Sequence, residues 1–447
     1  VALERHKVSI IGSIQFLGAA SEVGRSCFLV NEGPGGKNTL LDAGIKISGD
    51  EEQFPLLENR HIADLDRVIL SHAHLDHSGY LPYLYKQGCT APALMTKPTR
   101  DLSQVLLADY LRINQAASPY EQKDIVHALK KTKMMEYEKP LDGVTLTNAG
   151  HILGSAVTQL EANGRKILYS GDINDRETRL LDAAQMGYSA DALIIESTYG
   201  DPADRHPSLK DASNQLIQII QTTLDRGGKI LIPTFAIGRG QEILFLLENY
   251  MRSGLLQDVP IYLDGMVNKV LRIYRHNALF LKKEVQHRIL SSEDDPFKSV
   301  HYRVPQTKDR SDVLQQEKAI ILATSGMLNG GPVLHYIKHL GPDERNTIVF
   351  TGYQGAGTRG RQLLEGQKEL QLDDTLVPIN IQVQEAKFSG HADFQGLTTF
   401  AKSIKGLKDI FIVHGEKAKS ESLGKALGKI HKNARIHVPA LGEEIKI

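Results

Sequence analysis

Four ligand-type side chains, His72, His74, Asp76 and His77, stand within six positions in the run Ser71-His72-Ala73-His74-Leu75-Asp76-His77. Imidazole and carboxylate are donors that suit zinc and related divalent metals. The His-x-His spacing lets His72 and His74 point to one side of an extended segment and share one ion. Asp76 and His77 then turn away, placed to hold a second. The run follows Arg67-Val68-Ile69-Leu70, which reads as a buried strand, so the cluster occupies the turn that leaves it. A lone histidine on an apolar face is ordinarily a satisfied core residue. Four such groups this close together are not.

The same grammar recurs along the chain. Asp42 ends Asn38-Thr39-Leu40-Leu41, and His151 follows Val144-Thr145-Leu146-Thr147. Asp172 follows Lys166-Ile167-Leu168-Tyr169, and His414 follows Asp409-Ile410-Phe411-Ile412-Val413. Layered α/β proteins build their sites at the carboxyl ends of strands. Singly, each of these would read as a turn residue, since Asp beside Gly favours turns. Taken with residues 72–77, they read as metal ligands or as groups that orient ligands.

In this order the motifs resemble those of the metallo-β-lactamase superfamily, and three more resemble its β-CASP nucleases. Glu196 in Ile195-Glu196-Ser197-Thr198-Tyr199-Gly200 resembles motif A, His391 in Ser389-Gly390-His391-Ala392-Asp393 motif B, and His414 in Val413-His414-Gly415-Glu416 motif C. The similarity covers nearly the whole chain. It is greatest to the nuclease subunit type of the cleavage and polyadenylation specificity factor. Glu22-Val23-Gly24-Arg25-Ser26-Cys27 and Lys97-Pro98-Thr99-Arg100-Asp101-Leu102 resemble the archaeal branch, here expected without KH domains.

The resemblance implies two zinc ions, one held by His72, His74 and His151, the other by Asp76, His77 and His414. Asp172 would bridge them and Asp42 would orient ligands or nucleophile from behind. Such ions, ~3.5–4 Å apart, share a water, lower its pKa and clamp a phosphoryl group. His391, paired with Glu196, would donate a proton to the leaving oxygen, because a neighbouring carboxylate raises an imidazole pKa and fixes its tautomer. Asp76, Asp172, Glu196 and His391 are thus the catalytic candidates. The plainer alternative for Glu196 is a turn carboxylate.

These side chains need a scaffold of strands and turns. Residues 8–70 alternate short strands with glycine-rich turns, 99–137 carry apolar residues at helical spacing, and 138–196 return to strands. The polar, proline-bounded Asp201–Pro207 marks a domain crossing. Beyond it, Leu209–Arg226 reads as a helix, Lys229–Pro233 as a buried strand and Arg239–Tyr250 as a helix, an alternation that implies a mostly parallel sheet. The expected fold is α/β: a metallo-β-lactamase αββα sandwich over 1–200 and 373–447, with a β-CASP α/β domain inserted at 201–372.

A chain of 447 residues, 41% hydrophobic and 24% charged, suits a soluble globular protein. Lys plus Arg equals Asp plus Glu at 53 each, so a nucleic-acid contact must come from a local basic patch. Cys27 and Cys89 read as core thiols in a reducing compartment. The charged start Val1–Lys7 lacks a signal-peptide core, and the longest apolar runs fall far short of the ~20 residues of a membrane helix. A cytoplasmic protein is expected.

Candidate RNA phosphate contacts are Arg239, Ser325 and Gly326 of Thr324–Gly331, and Arg359 and Arg361 of Gly352–Arg361. Arg239 could equally cap structure between domains, and the glycine-rich runs could be tight turns. Tyr199 and Tyr353 are base-stacking candidates, with core packing as the alternative. The reading is a zinc-dependent ribonuclease that hydrolyses single-stranded RNA in RNA processing or decay. The Gly150-His151-Ile152-Leu153-Gly154-Ser155 context favours internal cutting, with 5′-3′ exonuclease activity retained beside it. A homodimer or membership of an RNA-processing complex follows by analogy. The competing readings are a non-catalytic scaffold subunit, which would have shed metal ligands, and a small ester or thioester hydrolase, which needs no such insertion.

Overall fold

The computed structural model describes residues 12–46, 53–114, 117–291, 294–355 and 357–447. Val1–Lys7, and Ala356 of the second glycine-rich loop, lie outside them. Two sheets face each other. The first runs Glu444–Lys446, Ser13–Phe16, Phe28–Asn31, Asn38–Leu41, Arg67–Ile69, Ala93–Thr96, Thr132–Met135. The second runs Arg435–His437, Asp409–Val413, Ala192–Glu196, Arg165–Tyr169, Ala156–Ala162, Val144–Asn148.

The two-residue period of a strand explains how both faces are buried. Ala192 and Ile194 point into the core shared with Phe16, Phe28, Leu41 and Ile69 of the first sheet. Leu193 and Ile195 point outward, to Leu397, Phe400, Leu423 and Leu427 on helices Phe394–Lys402 and Lys417–Ile430. On the first sheet, Leu40 and Val68 likewise lie under residues of Leu81–Lys86, Lys97–Ile113 and Gln122–Lys130. This is an αββα sandwich.

The third sheet is parallel throughout, ordered Tyr302–Arg303, Ile261–Asp264, Ile320–Ala323, Ile230–Pro233, Thr347–Phe350, Gln382–Glu385. Helices cover both faces: Leu209–Asp225, Arg239–Arg252 and Val267–His276 on one, Pro332–Leu340 and Arg359–Leu364 on the other. Its last strand lies beyond residue 372, after the hairpin Glu369–Leu372 and Thr375–Pro378. One apolar cluster joins the lobes, with Ile152, Leu153, Leu180 and Leu181 of the sandwich against Ile237, Leu271 and Tyr274.

The stretch 99–137 departs from a purely helical reading, because Thr132–Met135 is an edge strand paired with Ala93–Thr96. Lys133 and Met134 are exposed there and only Met135 is buried, so no apolar alternation announces it. Cys27 and Cys89 are buried free thiols. Among the described residues no helix is long and apolar enough to cross a membrane.

Between the sheets' ends, Arg67 is 1% exposed, donating to Glu32 Oε1 at 2.7 Å, to Thr39 Oγ1 at 2.7 Å and to the Asp142 carbonyl. Removing one partner of a buried pair leaves the other charge uncompensated. Arg67→Met therefore lowers unfolding free energy by about 3–5 kcal/mol, measured by urea denaturation. A loss under ~1 kcal/mol would mean that the pair behaves as a surface bridge.

Candidate active site

Parallel register assembles the site. Asn38–Leu41 pairs with Arg67–Ile69, Leu41 opposite Ile69, so Asp42 and Ser71-His72 leave neighbouring strands at the same edge. In the facing sheet, Tyr169 pairs with Ile194 and Glu196 with Val413, which places Asp172, Glu196 and His414 at adjacent carboxyl ends. Asp42 and His414 leave their strands with φ of 59° and 49°. Few residues with a Cβ adopt this left-handed turn, and its strain is borne where it aims a side chain.

His74 Nδ1 lies 3.2 Å from His72 Nε2 and 3.1 Å from His151 Nε2. Asp172 Oδ2 lies 3.6 Å from His72 Nε2, 3.7 Å from His151 Nε2 and 3.4 Å from His77 Nε2. Ligand bonds of 2.0–2.2 Å in a tetrahedron put donor atoms about 3.3–3.6 Å apart, which these separations match. His77, Asp172 and His414 offer donors that converge within 4.8 Å, as do His72, Asp76 and His77. Asp76 Oδ2 is 3.6 Å from His414 Nε2, and Asp172 Oδ1 is 3.7 Å from His414 Nδ1. His77 Nε2 and Asp172 Oδ1 are buried with no hydrogen-bond partner. Orphaned polar atoms of this kind, aimed into a cluster of donors, fit bound cations.

The electrostatics of His72 and His151 agree with that use. Burial, aided by the neighbouring His77, holds His72 well below the usual imidazole range, and burial with His391 does the same for His151. Both are then neutral, the form that ligates metal. At His77 burial acts downward, but the Asp172 and Asp42 carboxylates outweigh it and hold the ring well above its ordinary value.

A layer of supporting groups sits behind. Asp42, fully buried, accepts the His77 Nδ1–H at 2.7 Å, the Ser71 N–H and hydroxyl at 2.7 Å each, and the Tyr169 hydroxyl at 2.6 Å. Ser26 Oγ is 2.9 Å from His414 Nδ1, and His151 Nδ1 donates to the Gly390 carbonyl at 2.8 Å. Ser71, Tyr169, Ser26 and the Gly390 carbonyl escaped sequence reasoning. Only Ser71, adjacent to His72, carried a signal; the others depend on contacts far apart in the chain.

His391 Nδ1 is 3.1 Å from both oxygens of Glu196, which is 1% exposed. Burial works against the imidazolium, yet Glu196 and Asp172 raise His391 to about 9. Glu196 Oε1 also accepts the Ile173 N–H at 2.8 Å.

Of the five phosphate candidates, Arg239 lines a cavity together with His391, Arg176, His206, Lys387 and Glu242. Among the described residues no hydrogen bond or ion pair holds its guanidinium. A Cβ on Gly390 would stand 3.1 Å from Arg239 Nη2 and 3.4 Å from His151 Nδ1, so glycine there permits both approaches. Ser325 spends its hydroxyl inside its own loop, on Asn329 N–H and the Gly330 carbonyl, each at 3.1 Å. Gly326 packs tightly under Phe235. Arg359 donates to the Leu328 carbonyl at 3.2 Å, and exposed Arg361 faces Glu365 at 2.7 Å. Tyr199 lies 6.0 Å from the His391 ring and 6.3 Å from Tyr353.

Three family models match: a metallo-beta-lactamase superfamily domain over residues 35–198, a Beta-Casp domain over 240–363, and a Zn-dependent metallo-hydrolase RNA specificity domain over 376–439. Transcription termination factor FttA of Methanocaldococcus jannaschii is 39% identical over 97% of this chain and 71% of its own length. An RNase J-like protein of the same organism is 39% identical over 93% of this chain and 95% of its own. A crystal structure of a protein of unknown function from Enterococcus faecalis V583 shares the fold, with TM-score 0.60 at 15% identity over 98% of this chain and 100% of that one.

Proposed function

The chain belongs to the β-CASP family of metallo-β-lactamase-fold nucleases, and from that membership we propose that it is a two-zinc ribonuclease cutting single-stranded RNA internally in the cleft between its lobes. One observation carries the reading: His391, clamped by Glu196, stands beside His151 and Asp172 of the donor cluster, with ring centroids of His391 and His151 4.4 Å apart. A proton donor next to a cation site is what phosphodiester hydrolysis needs and what metal storage does not.

In this reading His72, His74 and His151 would hold one ion and Asp76, His77 and His414 another, with the Asp172 carboxylate facing both sets of donors. Bound there, such ions would supply positive charge against the phosphoryl oxygens and would acidify a water. Asp42 orients His77 and keeps its free nitrogen aimed inward. Glu196 holds His391 so that its Nδ1–H is engaged and Nε2 faces the leaving oxygen, to which it gives its proton. Arg239, whose guanidinium no hydrogen bond or ion pair holds among the described residues, binds a backbone phosphate beside it.

Relatives named for transcription termination and for likeness to RNase J support RNA as the substrate class. A scaffold role is disfavoured because every ligand-type residue converges. The test is end-labelled single-stranded RNA bearing a 5′-monophosphate or 5′-hydroxyl, incubated with and without a chelator. Internal fragments that vanish with chelator are expected. Mononucleotides from the 5′ end would make exonuclease action dominant, and intact RNA with fully metal-loaded protein would overturn the proposal.

A further inference from the structure

Glu242 is a buried carboxylate on helix Arg239–Arg252 of the inserted lobe, and the chemistry above makes no use of it. Its side-chain hydrogen-bond partners are all in the other lobe. Oε1 accepts the Thr178 hydroxyl at 2.6 Å and the Leu180 N–H at 3.2 Å, and Oε2 accepts the Arg179 N–H at 3.0 Å. Burial raises its pKa, as expected for a carboxylate removed from water, and the three donors and Arg239 oppose that rise. A buried carboxylate with its acceptors satisfied rigidifies the groups it holds.

What Glu242 holds is the segment that begins at Asp172. At its start, Ile173 donates its N–H to Glu196 at 2.8 Å and accepts the Ala392 N–H at 2.6 Å, so it braces both Glu196 and the loop of His391. At its far end, Thr178, Arg179 and Leu180 hang on Glu242, with Leu180 held also through its carbonyl by the Lys282 N–H at 2.9 Å. Arg239 lies one turn before Glu242 on the same helix, over Gly390.

We propose that Glu242 is a positioning residue: it latches the inserted lobe to the 172–180 segment, so that Asp172, His391 and Arg239 meet one RNA strand in register. The proposal rests on the ribonuclease reading for its substrate and on the hydrogen bonds alone for the latch. A misplacement of about 1 Å at a reacting centre can cost up to ~100-fold in rate.

The test compares wild type, Glu242→Ala, Glu242→Gln and Thr178→Val, each checked for zinc by elemental analysis. Amide hydrogen exchange at Arg179 and Leu180 is read alongside kcat and KM for single-stranded RNA and for bis(p-nitrophenyl) phosphate, a diester too small to span the lobes. In Glu242→Ala we expect faster exchange at both amides, unchanged zinc, and a fall in kcat/KM of about tenfold on RNA, with a smaller fall on the small diester. Glu242→Gln should restore only part of the loss, because its Oε1 still accepts from Thr178 and Leu180 while its amide nitrogen cannot accept the Arg179 N–H. Should the alanine variant fail to fold, Thr178→Val must shift the same readouts in the same direction. Wild-type RNA kinetics with accelerated exchange, or unaltered exchange, would overturn the latch. Wild-type protein that leaves RNA intact would defeat the ribonuclease reading instead, and the exchange data would still decide whether Glu242 holds the segment.

Discussion

His391→Ala lowers kcat on single-stranded RNA by about 10²- to 10⁴-fold while zinc content stays at the wild-type level. The expectation follows from where the ring sits. His391 touches the donor cluster at its edge, 4.0 Å from Asp172 Oδ2, and its nearest polar contacts are the two Glu196 oxygens at 3.1 Å. The cluster of His72, His74, His151 and Asp172 closes without it. Removing the ring takes away a proton donor and leaves the donors for metal in place. KM for RNA should move little, because Arg239, the proposed phosphate contact, is left in place. Single-turnover cleavage of labelled RNA, with zinc measured on the same sample, reads both quantities. A kcat within threefold of wild type would remove His391 from the chemistry, and loss of zinc would reassign it as a ligand.

Asp172→Ala has the opposite signature: metal and activity disappear together. Its Oδ2 faces His72, His77 and His151 at 3.4–3.7 Å, and its Oδ1 faces His414 at 3.7 Å, so one carboxylate serves both halves of the cluster. Although burial alone would push its pKa up, the His414 and His77 rings hold Asp172 ionised, well below the usual carboxylate range. Without it, imidazoles that face one another lack the anion that offsets bound cations. Zinc after dialysis should fall below one ion per chain, and RNA cleavage to the level of the wild type with chelator. The melting temperature should also stop rising on zinc addition, since a ligand stabilises only a fold that binds it. Asp172→Asn keeps the shape and removes the charge. If the asparagine variant retains two zincs, the carboxylate serves geometry more than charge.

Much of this was legible before any coordinates. His72, His74, Asp76 and His77 announce a metal site because their spacing concentrates donors that a fold has no other reason to crowd together. Asp42, Asp172 and His414 could be read from position, since Asp42 and His414 end β-branched or aliphatic runs and Asp172 follows one through Ser170-Gly171, and short buried runs bounded by turns are strong local signals. The sandwich and the inserted parallel sheet were legible for the same reason, through strand–helix alternation. The edge strand Thr132–Met135 was not, because an exposed edge with one buried side chain has no periodicity to read.

The chain alone thus determined which residue types could hold metal and move a proton, because ligand chemistry is a property of side chains and their local spacing. Only the tertiary structure decided which of them meet. Glu196 faces His391 across 195 positions because the loop of His391 is tied to Ile173 and His151 of the sandwich, and Glu242 grips Thr178 across 64 because one lobe closes on the other. Such contacts are set by sheet register and by packing of distant apolar faces, whose information is spread over the whole chain and has no local signature.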